Sequence, residues 1–197
     1  MKIRESGMPE EELWAQFFDA EAILAKLALS ASCGDVAEFG CGYGTFTIPA
    51  AKIVSGIVYA LDIDAEMIAA TEAKARAAGL ANVRPLLRDF MTDGSGLPEA
   101  SVDYVMLFNI LHAESPRALT REAYRILRPG GKLAIMHWNY DPGTPRGPSM
   151  DIRPRPEQCR AWAEDAGFRL LGGIVHLPPY HYGMVLERPP DRGGETQ

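Results

Sequence analysis

Cysteine is scarce in this 197-residue chain: only Cys33, Cys41 and Cys159 occur, and none forms a C-x-x-C pair. That excludes a disulfide framework and a paired-thiolate metal site, and the thiols read as free ones in a reducing cytoplasm. No run approaches 18 consecutive apolar residues, which excludes a spanning helix. The first twelve residues carry charges and no apolar stretch, so no signal peptide is expected. Positive charge is also short, with 20 Lys and Arg against 26 Asp and Glu and a net charge of −6. A general nucleic-acid or anionic-membrane binder is thereby disfavoured, because phosphate affinity needs clustered Lys and Arg. The histidines at 112, 137, 176 and 181 show no i,i+4 spacing, so no metal centre is expected.

What is present is ordinary globular material. Hydrophobic residues make up 47% and charged residues 23% of the chain, which argues against disorder. The length suits one domain with its own core. Short β-rich runs alternate with helical stretches, the pattern of a parallel sheet covered by helices. Helices are expected over 10–29, 45–54, 64–78, 116–127 and 157–166, and strands over 36–39, 57–63, 83–87, 102–108 and 133–137. Arg128-Pro-Gly-Gly-Lys132 reads as a tight turn into the fifth strand. The runs 168–177 and 182–187 read as a terminal hairpin. The expected fold class is α/β, a Rossmann-like three-layer sandwich. Its seven-stranded, mostly parallel sheet should end in a C-terminal antiparallel hairpin. The single domain divides into an N-terminal helical cover (1–35), a core (36–188) and a polar tail (189–197) expected to be disordered.

The strongest local signal is Val36-Ala-Glu-Phe-Gly-Cys-Gly-Tyr-Gly-Thr45. A strand runs into glycines at 40, 42 and 44, and a helix follows. Glycines serve where the backbone turns sharply and where a ligand lies against the main chain. Asp62 closes the next strand 22 residues after Gly40, where a carboxylate can accept two hydrogen bonds from ribose hydroxyls. This pair alone suits any ribose-bearing cofactor. Two details separate the options. A dinucleotide fingerprint puts a small residue at position 45, and here Thr45 stands there. Glu38, two residues before the first glycine, would repel a pyrophosphate and favour an ammonium group. An aminoacyl nucleoside without phosphates fits better.

Five motifs stand in order: Glu38-Phe-Gly-Cys-Gly-Tyr-Gly, Leu61-Asp-Ile-Asp, Arg88-Asp-Phe, Leu107-Phe-Asn-Ile-Leu-His and Arg125-Ile-Leu-Arg-Pro-Gly-Gly-Lys. With them the chain resembles the class I S-adenosylmethionine-dependent methyltransferases over about residues 36–138. It looks closest to the small-molecule, type 11 branch that includes the ubiquinone and menaquinone C-methyltransferases. The resemblance implies S-adenosylmethionine as cofactor and a set of positions for it. Glu38, Phe39, Gly40, Cys41, Gly42, Gly44 and Thr45 would surround its methionine part. Asp62 would hold the ribose, Ile63 and Met67 would lie against the adenine, and Asp89 and Phe90 would meet the adenine edge. Asn109, Ile110 and Leu111 would close the pocket beside the sulfonium.

Ligands in this architecture bind beyond the carboxyl ends of the strands. That makes His112 and Glu114, after the fourth strand, and His137, Trp138 and Tyr140, after the fifth, candidates for binding the methyl acceptor. Trp14 and Phe18 of the N-terminal helix could cover them. His112 is the first choice for a catalytic base, since its ordinary pKa is near 6.5. Cys41 lies inside the glycine turn with no neighbouring base in sequence, so it reads as a small neutral residue rather than a nucleophile. Arg146, Arg153, Arg155 and Arg160 could meet an anionic group of the acceptor or simply form a solvated, salt-bridged loop. Asn109-Ile-Leu is not the Asn-Pro-Pro-Tyr of the adenine-N6 and glutamine methyltransferases, and the loop 141–156 departs from the quinone enzymes. A small-molecule acceptor, with no nucleic acid and no membrane span, is expected. An NAD-type oxidoreductase and a non-catalytic S-adenosylmethionine-binding protein are the alternatives.

Overall fold

The structure is a computed structural model that describes residues 9–190. The expected tail beyond residue 190, and the first eight residues of the signal-peptide argument, lie outside the described residues.

The element order is α1 (Glu11–Ala15), α2 (Ala20–Lys26), β1 (Val36–Phe39), α3 (Thr47–Ile53), β2 (Val58–Asp62), α4 (Ala65–Ala77), β3 (Val83–Leu87), β4 (Val102–Phe108), α5 (Pro116–Ile126), β5 (Leu127–Trp138), α6 (Pro156–Asp165), β6 (Arg169–Leu177) and β7 (His181–Glu187). One sheet runs in the order β3-β2-β1-β4-β5-β7-β6. β1 to β5 pair in parallel, and β7 lies antiparallel between β5 and β6. This is the mostly parallel sheet with an antiparallel hairpin that the alternation of runs implies.

Two apolar cores sandwich the sheet. On one face Leu119, Ala123 and Ile126 of α5 and Cys159 and Ala163 of α6 pack on Leu107, Leu133 and Ile135. The spacing of the three α5 residues is one helical stripe. On the other face α2, α3 and α4 place Leu24, Ala50 and Ala75 against Val58, Met106 and Met136. Each fully buried Leu, Ile or Met contributes roughly 1.5–3 kcal/mol. Local signals set the helix ends. Asp64 caps α4 by accepting from the Glu66 N–H at 2.9 Å, and Pro116 opens α5 where no N–H is needed.

Three expectations need correction. The single helix over 10–29 is two short helices. Asp19 accepts from the Ala22 N–H and starts α2 afresh, while Phe17 and Phe18 turn inward onto Trp138 and Phe46. α3 begins at Thr47, which leaves Pro49 in its first turn, where proline is tolerated. The Arg128–Lys132 turn is instead the start of β5. Gly130 donates to Arg188 O and Arg188 donates to Gly131 O, both at 2.8 Å. Gly130, at φ +81°, allows the irregular register shift against β4 that this needs.

Candidate functional site

The strand order reverses at β1: β2 and β3 lie to one side of it, β4 and β5 to the other. Such a switch point leaves a crevice at the carboxyl ends of the two central strands. The glycine loop leaves β1 there, and Asn109 leaves β4. Gly40 and Gly44 sit at φ +74° and +75°. A Cβ on Gly40 would stand 2.9 Å from Ile110 Cδ1, and one on Gly44 3.0 Å from Thr71 Oγ1. The turn and the close approach both demand glycine.

Oxygen acceptors ring this crevice. Asp62, at the end of β2, accepts from the Gly42 N–H at 2.9 Å and from the Asp64 N–H at 3.0 Å. Each carboxylate oxygen keeps a further lone pair. Glu38 is only 2% exposed and accepts from the Thr47 hydroxyl. Burial pushes its pKa up to about 8, and the nearby Asp62 charge adds to this. Asn109 is held at φ +52°, and its buried Oδ1 has no hydrogen-bond partner.

The other predicted cofactor positions line up along the same edge. Thr45, Ile63 and Met67 are half-buried. Phe39 is wholly buried with its ring against Phe90 at 5.3 Å, so only its backbone can face a ligand. Leu111 is likewise fully within the α5-side core. The Asp89 carboxylate accepts from the Met91 and Thr92 N–H groups at 3.2 Å each, which makes it a loop cap in addition to any other part. The Cys41 thiol is buried and its pKa is pushed far up by that burial, so it holds no thiolate.

The predicted acceptor residues are split by the pleat of β5. His137 faces the α5/α6 layer and meets His112, with His112 Nδ1 3.3 Å from His137 Nε2. His112 also lines a cavity of about 390 Å³, together with Glu114, Tyr140, Met150, Arg155 and Trp162. Trp138 faces the opposite layer. Its ring lies 6.3 Å from Trp14, 5.5 Å from Phe17 and 6.4 Å from Phe18. α1 is tied above the glycine loop, where Tyr43 donates to Pro9 O and Lys74 pairs with Glu11.

Two residues hold places that the sequence reading did not give them. His181, paired across the sheet with Trp138, is fully buried 4.3 Å from its ring, and neither imidazole nitrogen has a hydrogen-bond partner. Nothing local marks it, because the β5–β7 register alone puts it there. Arg153 is the second. Its guanidinium donates to the backbone oxygens of Asn139, Asp141, Arg146 and Pro148 and to the Thr144 hydroxyl. It pins the loop 139–153 from inside. The Arg155 guanidinium carbon lies over the Tyr140 ring, 3.7 Å from its centroid, and Arg160 pairs with Glu164. Among the described residues no group of three or more His, Cys, Asp or Glu could hold a metal ion. Among them, too, no helix is long and apolar enough to cross a membrane.

A glycine loop after β1, a carboxylate at the end of β2 and this sheet order together make a Rossmann-like, methyltransferase-type fold. Residues 36–131 match the methyltransferase domain family, and the chain carries the fold of the class I S-adenosylmethionine-dependent methyltransferases. The crystal structure of a SAM-dependent methyltransferase from Aquifex aeolicus superposes with a TM-score of 0.78 at 26% identity, covering 92% of this chain and 95% of that one. A demethylmenaquinone methyltransferase of Geobacillus sp. (strain WCH70) is 32% identical over 99 residues, 49% of this chain and 42% of its own. The tRNA 5-carboxymethoxyuridine methyltransferase of Escherichia coli (strain K12) is 24% identical over 158 residues, 70% of this chain and 60% of its own. The matched stretch spans about half the length of these curated relatives.

Proposed function

We propose that this chain, as a single methyltransferase domain, transfers a methyl group from S-adenosylmethionine to a small-molecule acceptor. The observation that carries the reading is the oxygen-rich rim of the crevice. A buried Glu38 carboxyl, the Asp62 carboxylate and the unpartnered Asn109 Oδ1 stand at the ends of adjacent strands. Such a set fits a ligand that brings N–H groups and positive charge, and it opposes a pyrophosphate. When bound, the cofactor supplies an electrophilic methyl group on a sulfonium.

The chain's own residues then divide the work. Asp62 accepts from the ribose hydroxyls with its remaining lone pairs, and the backbone of Gly40, Cys41, Gly42 and Gly44 lets the methionine part lie close. Ile63 and Met67 cover one adenine face, with Asp89 and Phe90 at its edge. Asn109 and Ile110 hold the sulfonium end. His112 takes the acceptor's proton, and Glu114, His137, Tyr140, Trp14, Phe18 and Trp138 are the neighbouring acceptor-side candidates. The 390 Å³ cavity beside His112 falls in the size range of small-ligand sites, roughly 300–1,000 Å³. The net charge of −6 also supports a small acceptor over a nucleic acid.

Calorimetry of the purified chain with S-adenosylmethionine and, separately, with NAD tests the cofactor. Micromolar binding of the first and none of the second is expected; the reverse result overturns the reading. Release of S-adenosylhomocysteine on incubation with a metabolite pool tests transfer. Cofactor binding with no release in any pool leaves a binding protein without transfer.

A further inference from the structure

Thr47, the first residue of α3, is fully buried, and its hydroxyl donates to Oε2 of Glu38. Among the described residues Glu38 accepts no other hydrogen bond, so Oε1 is left over. The sheet neighbours of Glu38 are Ala60 of β2 and Met106 of β4, both apolar and fully buried. The titratable groups that bear on it are Asp62, at the end of β2, and Cys41, in the glycine loop. Neither brings positive charge, and Thr47 and Met106 bring no charge at all. A carboxyl enclosed in this way without a cation is costly to ionise. Burial raises its pKa to about 8, the Thr47 hydrogen bond opposes that rise, and the Asp62 charge adds to it. In the empty crevice near neutral pH, Oε1 therefore keeps a proton while Oε2 takes the Thr47 hydrogen.

We propose that Thr47 is a positioning residue for cation capture: it holds Oε2 of a neutral Glu38, which releases its Oε1 proton to water when a cationic ligand enters the crevice. The inference rests on the S-adenosylmethionine reading above, in which that ligand brings positive charge. The charge left on Glu38 then offsets the incoming one, and Oε2 keeps the Thr47 hydroxyl throughout. A hydrogen bond to a carboxylate favours the ionised form, so Thr47 eases the release. Without the hydroxyl, Glu38 would keep its proton to a higher pH and bind a cation less well at neutral pH.

Infrared spectra of the full chain read the proton directly, through the carbonyl stretch of a protonated carboxylic acid assigned by its loss in Glu38→Gln. At about pH 6.5, where an α-ammonium group also keeps its charge, the native chain should show this band, and saturating S-adenosylmethionine should abolish it. Calorimetry at the same pH in phosphate and in imidazole, buffers of unlike ionisation enthalpy, should count about one proton released per ligand bound. Glu38→Gln should release none. In the free chain Thr47→Val should move the titration of the band to higher pH, and it should weaken S-adenosylmethionine roughly ten- to hundredfold at neutral pH. Thr47→Ser, which keeps the hydroxyl, should restore both. Thr47→Ala takes the place of Thr47→Val if the latter does not fold. Absence of the band from the free chain, its survival in the saturated chain, or a native titration in Thr47→Val overturns the proposal. Failure of the native chain to bind S-adenosylmethionine overturns the cofactor reading instead, and the free-chain spectra still decide whether Thr47 governs the Glu38 proton.

Discussion

The ends of β1 and β2 and the ends of β4 and β5 face the same crevice with unlike chemistry. The first region is backbone and oxygen: positive-φ glycines, the Asp62 carboxylate clamping Gly42, and a buried Glu38. The second is imidazole and aromatic ring: His112 on His137, and His181 on Trp138. The first is suited to hold a cation, since its groups are acceptors that a positive charge would stabilise. The second is suited to accept a proton, since its groups are buried imidazoles, of which His137 and His181 are held neutral by burial. Binding and chemistry thus occupy different strands, and variants in the two regions should fail in different ways.

The largest separation should come from His112→Ala. S-adenosylhomocysteine release should fall by roughly 10²–10⁴, with cofactor affinity by calorimetry unchanged. A parallel loss of affinity would merge the two regions. Next comes Arg153→Ala. It removes six hydrogen bonds from a buried guanidinium and should cost about 2–4 kcal/mol in urea unfolding. Asp62→Ala belongs to the binding region and should weaken S-adenosylmethionine by about 1.5–3 kcal/mol, with the fold retained in circular dichroism.

Glu38 sharpens the contrast through pH. Its carboxyl is raised from the ordinary 4.5 to about 8. Between those values the unfolded chain loses a proton that the folded chain keeps. The stability due to the buried neutral carboxyl is therefore complete below about pH 4.5 and is lost as pH rises through about 8. Glu38→Gln should remove that dependence, adding about 1–3 kcal/mol of stability at pH 7 while weakening S-adenosylmethionine. Urea titrations across that range would show it. Arg160→Ala should move stability least, within about 0.5 kcal/mol, because its partner Glu164 is an exposed i,i+4 neighbour. A cost near that of Arg153→Ala would erase the distinction between the buried staple and the solvated pair.

The binding region was readable because its signals are contiguous. Gly40, Gly42 and Gly44 lie within five residues, and Asp62 and Asp64 flank one strand end. The break in the first helix was not readable. It depends on Phe17 and Phe18 finding Trp138 and Phe46, more than a hundred residues and about thirty residues away in sequence. Arg128-Pro-Gly-Gly-Lys132 has turn composition, and only its pairing with Arg188 makes it strand. Four clustered arginines look alike in sequence, whereas burial makes one a staple and leaves another exposed.

Residue spacing alone set the alternation of strands and helices, the glycine turn and its acidic partner, and the caps at Asp64 and Pro116, because those depend on neighbours within a few residues. The meeting of His112 with His137, the seating of His181 against Trp138 and the role of Arg153 came from strand register and burial. A one-residue slip of β5 would exchange His137 with Trp138 across the sheet. Hydrogen-bond partners 25 positions apart are brought together only when the whole sheet is in place.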